Sequence, residues 1–593
     1  MRALAAVNRY FLKYRWLLLL GTLFVILSNI FKALSPGVIG DALDLLIRQL
    51  QTYQQLTDEA AKAELRSDVL SGTGRLTLYY LALALGNGLF LFLMRQTLII
   101  MSRHIEYDQK NELFAHYQKL TPAFYKRHNT GDLMNRVAED VGRVRMYVGP
   151  ALMYFLNTIT LFILVIWAML KVNPRLTFFV LLPLPVLSVS IYFVNNLIEK
   201  RSERIQRQLS KLTSVAQEIF SGIRVIKAYA QEEENSRYFE EQTDIYKDRS
   251  LSLARVDAMF QPLMVLLIGL STLLVVFVGG FEVIQGRLTA GNVAAFIIYV
   301  NMLTWPVASL GWVVSIVQRA AVSQRRINEF LQTQPDISST IPDQGIISGN
   351  LEFSHVTFTY PDSGIRALED ISFHIKAGQR VAIIGRTGSG KTTIADLLLR
   401  LYEPDSGKIR LGGRPVQDYS LHDLRASIGY VPQDVFLFGD SIQNNIRFGL
   451  PDEQQARVED YAKAAGIHDE IDSFRQGYDT LVGERGVTLS GGQKQRISIA
   501  RALIKDAPLV VLDDCLSAVD AATEQQILDH LTGMLEKKTA LIITHRLSAM
   551  EQYDQIILLN EHHIAATGTH AELLRTSAEY REMTEASRKG ELI

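Results

Sequence analysis

The sequence predicts a multi-domain membrane protein: an all-α half that crosses a bilayer, followed by an α/β half. Three observations predict it. Six apolar runs of bilayer-spanning length crowd residues 16–317. From Leu351 onward, short β-rich runs alternate with helical patterns. A glycine-rich loop at 385–392 sits between one such strand and one such helix. The totals agree. A chain of 593 residues exceeds one typical domain. Its composition, 48% hydrophobic and 21% charged, with a mean hydropathy of +0.10, lies between a soluble enzyme and a pure membrane bundle. The formal net charge of -1 carries no basic excess, so no nucleic-acid partner is expected. The single cysteine, Cys515, excludes an internal disulfide. It lies beside an apolar strand and an acidic pair, with no catalytic histidine identifiable as its partner, and reads as a packed apolar residue.

The N-terminal stretch MRALAAVNRYFLKYRW leads into an apolar run with no small-residue cleavage site, so a retained membrane helix is expected rather than a signal peptide. The six runs are Trp16–Gly40, Leu76–Met101, Met146–Leu170, Leu176–Ile198, Phe260–Ile284 and Leu288–Val317. Six runs of this length, several without an internal charge, do not fit the buried helices of a soluble protein. Lysine and arginine at the run ends set the orientation. Arg2, Arg9, Lys13 and Arg15 precede the first run; Arg103, Lys110, Lys119, Lys126, Arg127, Arg136, Arg143 and Arg145 separate the second and third; Lys200, Arg201, Arg204, Arg207 and Lys211 follow the fourth. The outer links are poorer, with Lys171 and Arg175 in one and Arg287 in another. Both termini and the two long loops are therefore cytoplasmic, and residues 41–75 are external, a polar helix-prone segment expected to form a small cap. Residues 103–145 and 199–257 carry few glycines or prolines. The membrane helices are expected to continue through them into the cytoplasm and to turn near 121–132 and 221–234 in short helices. The expected division is 1–330 for the six-helix domain, 331–350 for a polar linker, 351–585 for the α/β domain and 586–593 for a tail.

The α/β half carries the chemistry. Gly385-Arg386-Thr387-Gly388-Ser389-Gly390-Lys391-Thr392 fits G-x-x-x-x-G-K-[ST] between the strand RVAIIG and the helix TTIADLLLRLY. In that setting backbone amides point at phosphate oxygens, Lys391 meets the β- and γ-phosphates, and the Thr392 hydroxyl, with Thr393 next to it, faces Mg²⁺ and the nucleotide. The strand Leu509–Leu512 ends in Asp513 and Asp514, which would deliver Asp513 to the metal. Leu489-Ser490-Gly491-Gly492-Gln493 opens the helix QKQRISIARALI and offers an anion site at a helix N-terminus.

The L-S-G-G-Q stretch, placed between the phosphate loop and the aspartate strand, resembles the signature of ATP-binding cassette proteins. With the membrane domain ahead of it, nearly the whole chain resembles an ABC exporter half-transporter: a six-helix transmembrane domain of that type fused to a P-loop ABC ATPase domain. The resemblance implies roles for further residues. Tyr360 in VTFTYP is similar to the aromatic that stacks on adenine, and Gln433 in GYVPQD to the glutamine that senses Mg²⁺. Gly483-Glu484-Arg485-Gly486 is similar to a loop found in exporters, Ser517-Ala518-Val519-Asp520 to the stretch that crosses to the partner cassette, and His545 in LIITHR to the histidine that contacts the γ-phosphate. The cytoplasmic tips are similar to the coupling helices that seat in cassette grooves. ATP and Mg²⁺ are the implied cofactors. Two cassettes pair head to tail in this family, each ATP lying between the phosphate loop of one and the signature of the other, so at least a dimer is implied.

The sequence departs from the family at one position. Hydrolytic members carry glutamate after the metal-binding aspartate, where it polarises the attacking water; here it is Asp514. A carboxylate withdrawn by about 1 Å can cost about 10²-fold in rate. With Gln433 and His545 beside it, this site is expected to bind ATP and hydrolyse it slowly. An intact signature next to a weakened site resembles one subunit of the heterodimeric multidrug exporters, and a second, different half-transporter is the expected partner. The competing expectations are a homodimer with two weakened sites, acting as a lipid flippase, and an ATP-gated regulatory membrane protein. Lys32 and Arg95 interrupt apolar runs, and Asn29, Asn87, Asn157, Asn301, Trp305 and Trp312 add polar or aromatic groups. Such a lining suits hydrophobic or amphipathic drugs or lipids. The expected location is a bacterial inner membrane, with the cassette in the cytoplasm.

Overall fold

A computed structural model of the chain describes residues 2–588 apart from 339–340, 344, 450–456, 484–485, 487–488, 516–526, 528–529, 531–532, 535–537, 546 and 548–549. The chain forms two compact units: Met1–Ala115 with Leu133–Thr333, and His116–Asp132 with Gln334–Ile593.

Long helices build the first unit: α1 (Arg15–Gln55), α2 (Glu59–Tyr117), α3 (Leu152–Val172), α4 (Pro183–Ser221), α5 (Glu232–Ile284) and α6 (Ala290–Leu331). Among the described residues, five helical segments are long and apolar enough to cross a membrane: α1, α2, Thr130–Val172, α5 and α6. Much of their apolar surface faces outward, as Leu85, Phe92, Ile163, Trp167 and Phe277 do, and this suits a lipid environment. The fourth expected run falls on the short helix Pro174–Leu181 and the start of α4. Pro183 and Pro185 follow Leu181 at the break: proline lacks an N–H, which weakens a helix interior and suits the first turn of the next helix. Asn173 caps Pro174–Leu181 by accepting the Leu176 N–H at 2.9 Å. Ala33, Leu161, Val165, Leu176, Val275 and Phe296 form the buried seam that joins α1, α3, α5 and α6.

Residues 41–75 differ from the expected cap. α1 runs on to Gln55 and α2 starts at Glu59, so only three residues, 56–58, connect them. The Ala, Glu and Lys content that made 59–68 look helix-prone extends the membrane helices themselves. Residues 103–145 and 199–257 are largely helical. α2 and α4 continue past the apolar runs, and the tips carry the short helices Pro122–Arg127 and Ile223–Ala228.

Two contacts tie helix ends within the first unit. Gly291, at the start of α6, lies so close to Gly40 that a Cβ there would come within 2.0 Å of the Gly40 carbonyl. The Asp44 carboxylate accepts the Gly291 N–H at 2.7 Å, placing an anion at the α6 N-terminus. Glu282, near the end of α5, is buried and ion-pairs with Arg175 at 3.1 Å and Arg287 at 2.8 Å.

The second unit holds two sheets. The smaller is antiparallel, in the order β2-β1-β4-β5, with β1 Leu351–Thr359, β2 Arg366–Ile375, β4 Ser406–Leu411 and β5 Arg414–Pro415. The larger runs β10-β9-β3-β8-β7-β6, with β3 Arg380–Gly385, β6 Ile428–Val431, β7 Leu509–Asp513, β8 Thr539–Ile543, β9 Gln555–Asn560 and β10 His563–Gly568. It is parallel except at β10. Every residue of β7 and β8 is buried, which explains their unbroken apolar sequences. The β-rich runs LEFSHVTFTY, ISFHI, RVAIIG, IGYVP, PLVVLDD and TALIITH correspond to β1, β2, β3, β6, β7 and β8, while β4, β5, β9 and β10 add to them.

Candidate nucleotide site

The order of the larger sheet positions the site. β8 lies between β3 and β7, and β6 lies beyond β7. All four are parallel, so their carboxyl ends share one edge, where open α/β sheets bind ligands. The phosphate loop follows β3, Asp513 ends β7, His545 follows β8 and Gln433 follows β6.

Two glycines of the loop have no room for a side chain. A Cβ on Gly385 would fall 2.3 Å from the Leu559 carbonyl. Gly390, with φ of 95°, is the N-cap of helix α7 (Lys391–Leu398), and a Cβ there would fall 2.1 Å from the Ala367 carbonyl. Lys391 arches back over the loop and donates to the carbonyls of Gly385 at 2.8 Å and Arg386 at 2.9 Å. Burial lowers its pKa, while Asp514 and Asp513 act to raise it.

The Thr392 hydroxyl donates to Asp513 Oδ1 at 3.2 Å. Asp513 is buried, and its Oδ2 has no hydrogen-bond partner among the described residues. Burial pushes this carboxyl up to about 6, with Asp396 and Asp514 adding to the rise and Thr392 and Lys391 opposing it. The Ser389 hydroxyl, also buried, has no partner either. An orphaned carboxylate oxygen beside a hydroxyl is an incomplete set of hard oxygen donors, and it fits a divalent cation such as Mg²⁺. Gln433 lies exposed at the same sheet edge.

Asp514 adopts a left-handed backbone, φ 44°, and its N–H donates to the Ile543 carbonyl at 2.8 Å. Its Oδ1 lies 2.8 Å from Nδ1 of His545. Two of the expected catalytic residues thus engage each other directly.

Tyr360 is half-buried. Its ring meets Phe358 and Tyr402 edge-on, and its hydroxyl lies 3.0 Å from the Thr393 hydroxyl and 3.4 Å from Asp396 Oδ2. Asp396 is a site carboxylate that the motif reading missed. Its signal was available: it is the one charged residue between Lys391 and Arg400 in an otherwise apolar helical run. Burial raises its pKa, against the pull of Lys126 and Tyr360.

The signature begins helix α8 (Gly491–Ile504). Ser490 and Gln493 form a reciprocal capping box, the Ser490 hydroxyl accepting the Gln493 N–H at 3.2 Å and Gln493 Oε1 accepting the Ser490 N–H at 2.9 Å. Gln493 also donates to Glu470 at 2.9 Å, and Glu470 pairs with Arg496 at 2.7 Å. Gly491 and Gly492 form the first turn and leave its amides unobstructed by side chains. Glu484, Arg485 and the stretch Ser517–Asp520 lie outside the described residues.

Comparison with known proteins places this arrangement. Residues 18–307 match the family model described as ABC transporter transmembrane region, and residues 368–517 match the one described as ABC transporter. The multidrug resistance-like ATP-binding protein MdlA of Escherichia coli is 34% identical over 588 residues, covering 98% of this chain and 96% of that protein. The probable multidrug resistance ABC transporter ATP-binding/permease protein YheI of Bacillus subtilis is 39% identical over 480 residues, 80% of this chain and 82% of that protein. The ATP-dependent lipid A-core flippase of Pseudomonas aeruginosa is 35% identical over 508 residues, 85% and 83% of the two chains. Among solved structures, a bacterial Atm1-family ABC exporter with ATP bound superposes with a TM-score of 0.74 at 26% identity, covering 98% of each chain.

Proposed function

From the premise that the chain belongs to the ABC transporters, a transmembrane region fused to an ATP-hydrolysing cassette, we propose that it exports hydrophobic or amphipathic molecules as one subunit of a heterodimer. The chain is a multi-pass membrane ATPase that couples hydrolysis to export. In the proposed pair, the phosphate loop of this chain forms a slow site, and its signature completes a faster site on the partner.

The observation that carries this reading is the pair Asp514–His545. An aspartate is one methylene shorter than the usual glutamate, and here its Oδ1 is spent on His545 at 2.8 Å. A base must reach the proton it removes, directly or through one water. A carboxylate that is both shorter and tied to a neighbouring imidazole is poorly placed to polarise an attacking water. The signature shows no such loss, since its capping box is complete.

The remaining roles follow from position. Backbone amides of Gly388–Lys391 cradle the phosphates, and Lys391 exchanges its two carbonyl partners for phosphate oxygens. Asp513 and Thr392, with Gln433, would hold Mg²⁺, which when bound would supply charge neutralisation on the phosphates. Tyr360 stacks on the base. The amides and hydroxyl at the start of α8 face the phosphates bound by the partner. Asp520, by resemblance alone, would contribute across the interface. ATP favours the closed cassette pair and so shifts the membrane helices between inward-open and outward-open populations. A bacterial inner membrane suits the relatives named above.

The lipid A-core flippase relative favours a second substrate class, lipids. Turnover in proteoliposomes decides between the two. Stimulation by amphipathic drugs in neutral phospholipid supports drug export, and stimulation only by added lipid supports flipping. Turnover that responds to neither would overturn export of either class and favour the regulatory alternative.

A further inference from the structure

Lys126 belongs to the short helix Pro122–Arg127, at the tip of the first cytoplasmic loop. This tip is part of the second unit, together with the nucleotide site. The local sequence explains its seat. Thr121 is extended and Pro122 occupies the first turn, which starts a helix where the chain must reverse. Ala123 is buried in the same core as β1, β3 and α7, and the Thr121 hydroxyl donates to Asp336 at 3.3 Å. The exposed face of the helix then carries Lys126 over the Tyr360 ring, with Nζ 4.9 Å from the ring centroid and 5.4 Å from that of Tyr402.

Tyr360 is held on several sides. Its hydroxyl meets Thr393 and Asp396, Phe358 and Tyr402 stand at its edges with centroids 5.0 and 5.3 Å away, and a cation lies over one face. Such a ring has one orientation and one remaining face on which to stack. Burial acts to lower the Lys126 pKa, but Tyr402, Tyr360 and Asp396 outweigh it and raise the pKa above the ordinary lysine value, so the cation persists at neutral pH.

We propose that Lys126 is a positioning residue for the nucleotide base: its ammonium fixes the Tyr360 ring in the orientation that stacks on adenine, and so ties base occupancy to the loop between α2 and α3. The proposal rests on the reading of Tyr360 as the base-stacking residue. Linkage makes the tie reciprocal: whatever moves the loop off Tyr360 weakens base binding, and base binding holds the loop in place.

The test uses the full-length protein in nanodiscs and two competitors for a fluorescent nucleotide: ATP, and inorganic tripolyphosphate, which has no base. Lys126→Gln is expected to weaken ATP about 3- to 10-fold, the size of a partly desolvated cation–π contact, and to leave tripolyphosphate unchanged. Lys126→Arg, which keeps the cation, is expected to restore ATP affinity. Tyr360→Ala is expected to weaken ATP at least as much, again without effect on tripolyphosphate. Lys126→Gln losing both ligands equally, or neither, while Tyr360→Ala loses ATP alone, would overturn the role of Lys126. Tyr360→Ala failing to discriminate the two ligands would instead overturn the base-stacking reading beneath it.

Discussion

Replacing Asp514 with glutamate tests the slow-site reading from within this chain. The Asp514 carboxylate reaches His545 Nδ1 at 2.8 Å from a backbone fixed at φ 44° and by the Ile543 carbonyl. Glutamate on the same backbone carries its oxygens about 1 Å farther out, toward the phosphate edge of the sheet. A displacement of that size is worth about 10²-fold in rate, or about 2.7 kcal/mol of barrier. Asp514→Glu should therefore raise hydrolysis at this chain's own site by up to about 10²-fold. Rapid-quench single-turnover measurement with γ-labelled ATP, on the assembled complex, reads that site directly. In a heterodimer, steady-state turnover should rise by no more than about twofold, because the partner's site already dominates, whereas a second fast equivalent of phosphate should appear in the single turnover. In a homodimer the steady-state rate itself should climb. Unchanged fast phosphate and unchanged steady state would refute the argument that the missing methylene limits this site.

Three further substitutions probe the rest of the account. Asp513→Asn should stabilise the chelator-treated, nucleotide-free protein in a pH-dependent way. Folding raises this carboxyl from 3.8 to about 6, so its protonated form favours the fold below about pH 4 and that contribution is lost as pH rises through about 6. The gap amounts to about 3 kcal/mol, an upper bound on the advantage of Asn above about pH 6, and apparent Tm measured across pH should show it vanish in acid. Glu282→Gln leaves Arg175 and Arg287 without their carboxylate; because the two arginines are 65% and 52% exposed, the loss should be about 1–2 kcal/mol, below that of a fully buried pair, and appear as a lower Tm with ATP affinity intact. Gly291→Ala drives a methyl into the Gly40 carbonyl and the Asp44 carboxylate, should cost about 1–3 kcal/mol as overpacking does, and should lower substrate-stimulated turnover more than basal turnover.

Much of this architecture was legible in the sequence because two periodicities differ so sharply. Apolar runs of membrane length carry few internal charges, the strands RVAIIG, LVVLD and TALII are short and almost wholly apolar, and the phosphate loop is punctuated by glycines that backbone contacts demand. Other elements were less legible. β4 opens with the exposed Ser-Gly-Lys, and β10, at the edge of the larger sheet, reads His-Ile-Ala-Ala-Thr-Gly, sequences without a strong pattern. The break between Leu181 and Pro183 hides inside an apolar run. The expected cap over 41–75 gave way to two long helices, because the Ala, Glu and Lys that make the segment polar are also good helix formers. At the site, the motif residues announced themselves, but their mutual engagement did not. Asp514–His545, Tyr360–Thr393 and Lys126–Tyr360 join residues far apart in the chain, and only strand order and loop packing bring them together. Lys126 in particular reads, in sequence, as one more cytoplasmic charge.

The central claim, that this chain is the slow half of an unlike pair, is tested most directly by native mass spectrometry of the complex purified through a tag on this chain from its own host. The account predicts a second subunit of similar mass, with glutamate at the position equivalent to Asp514. Two identical chains would contradict it, and Asp514 would then have to support whatever hydrolysis the complex performs.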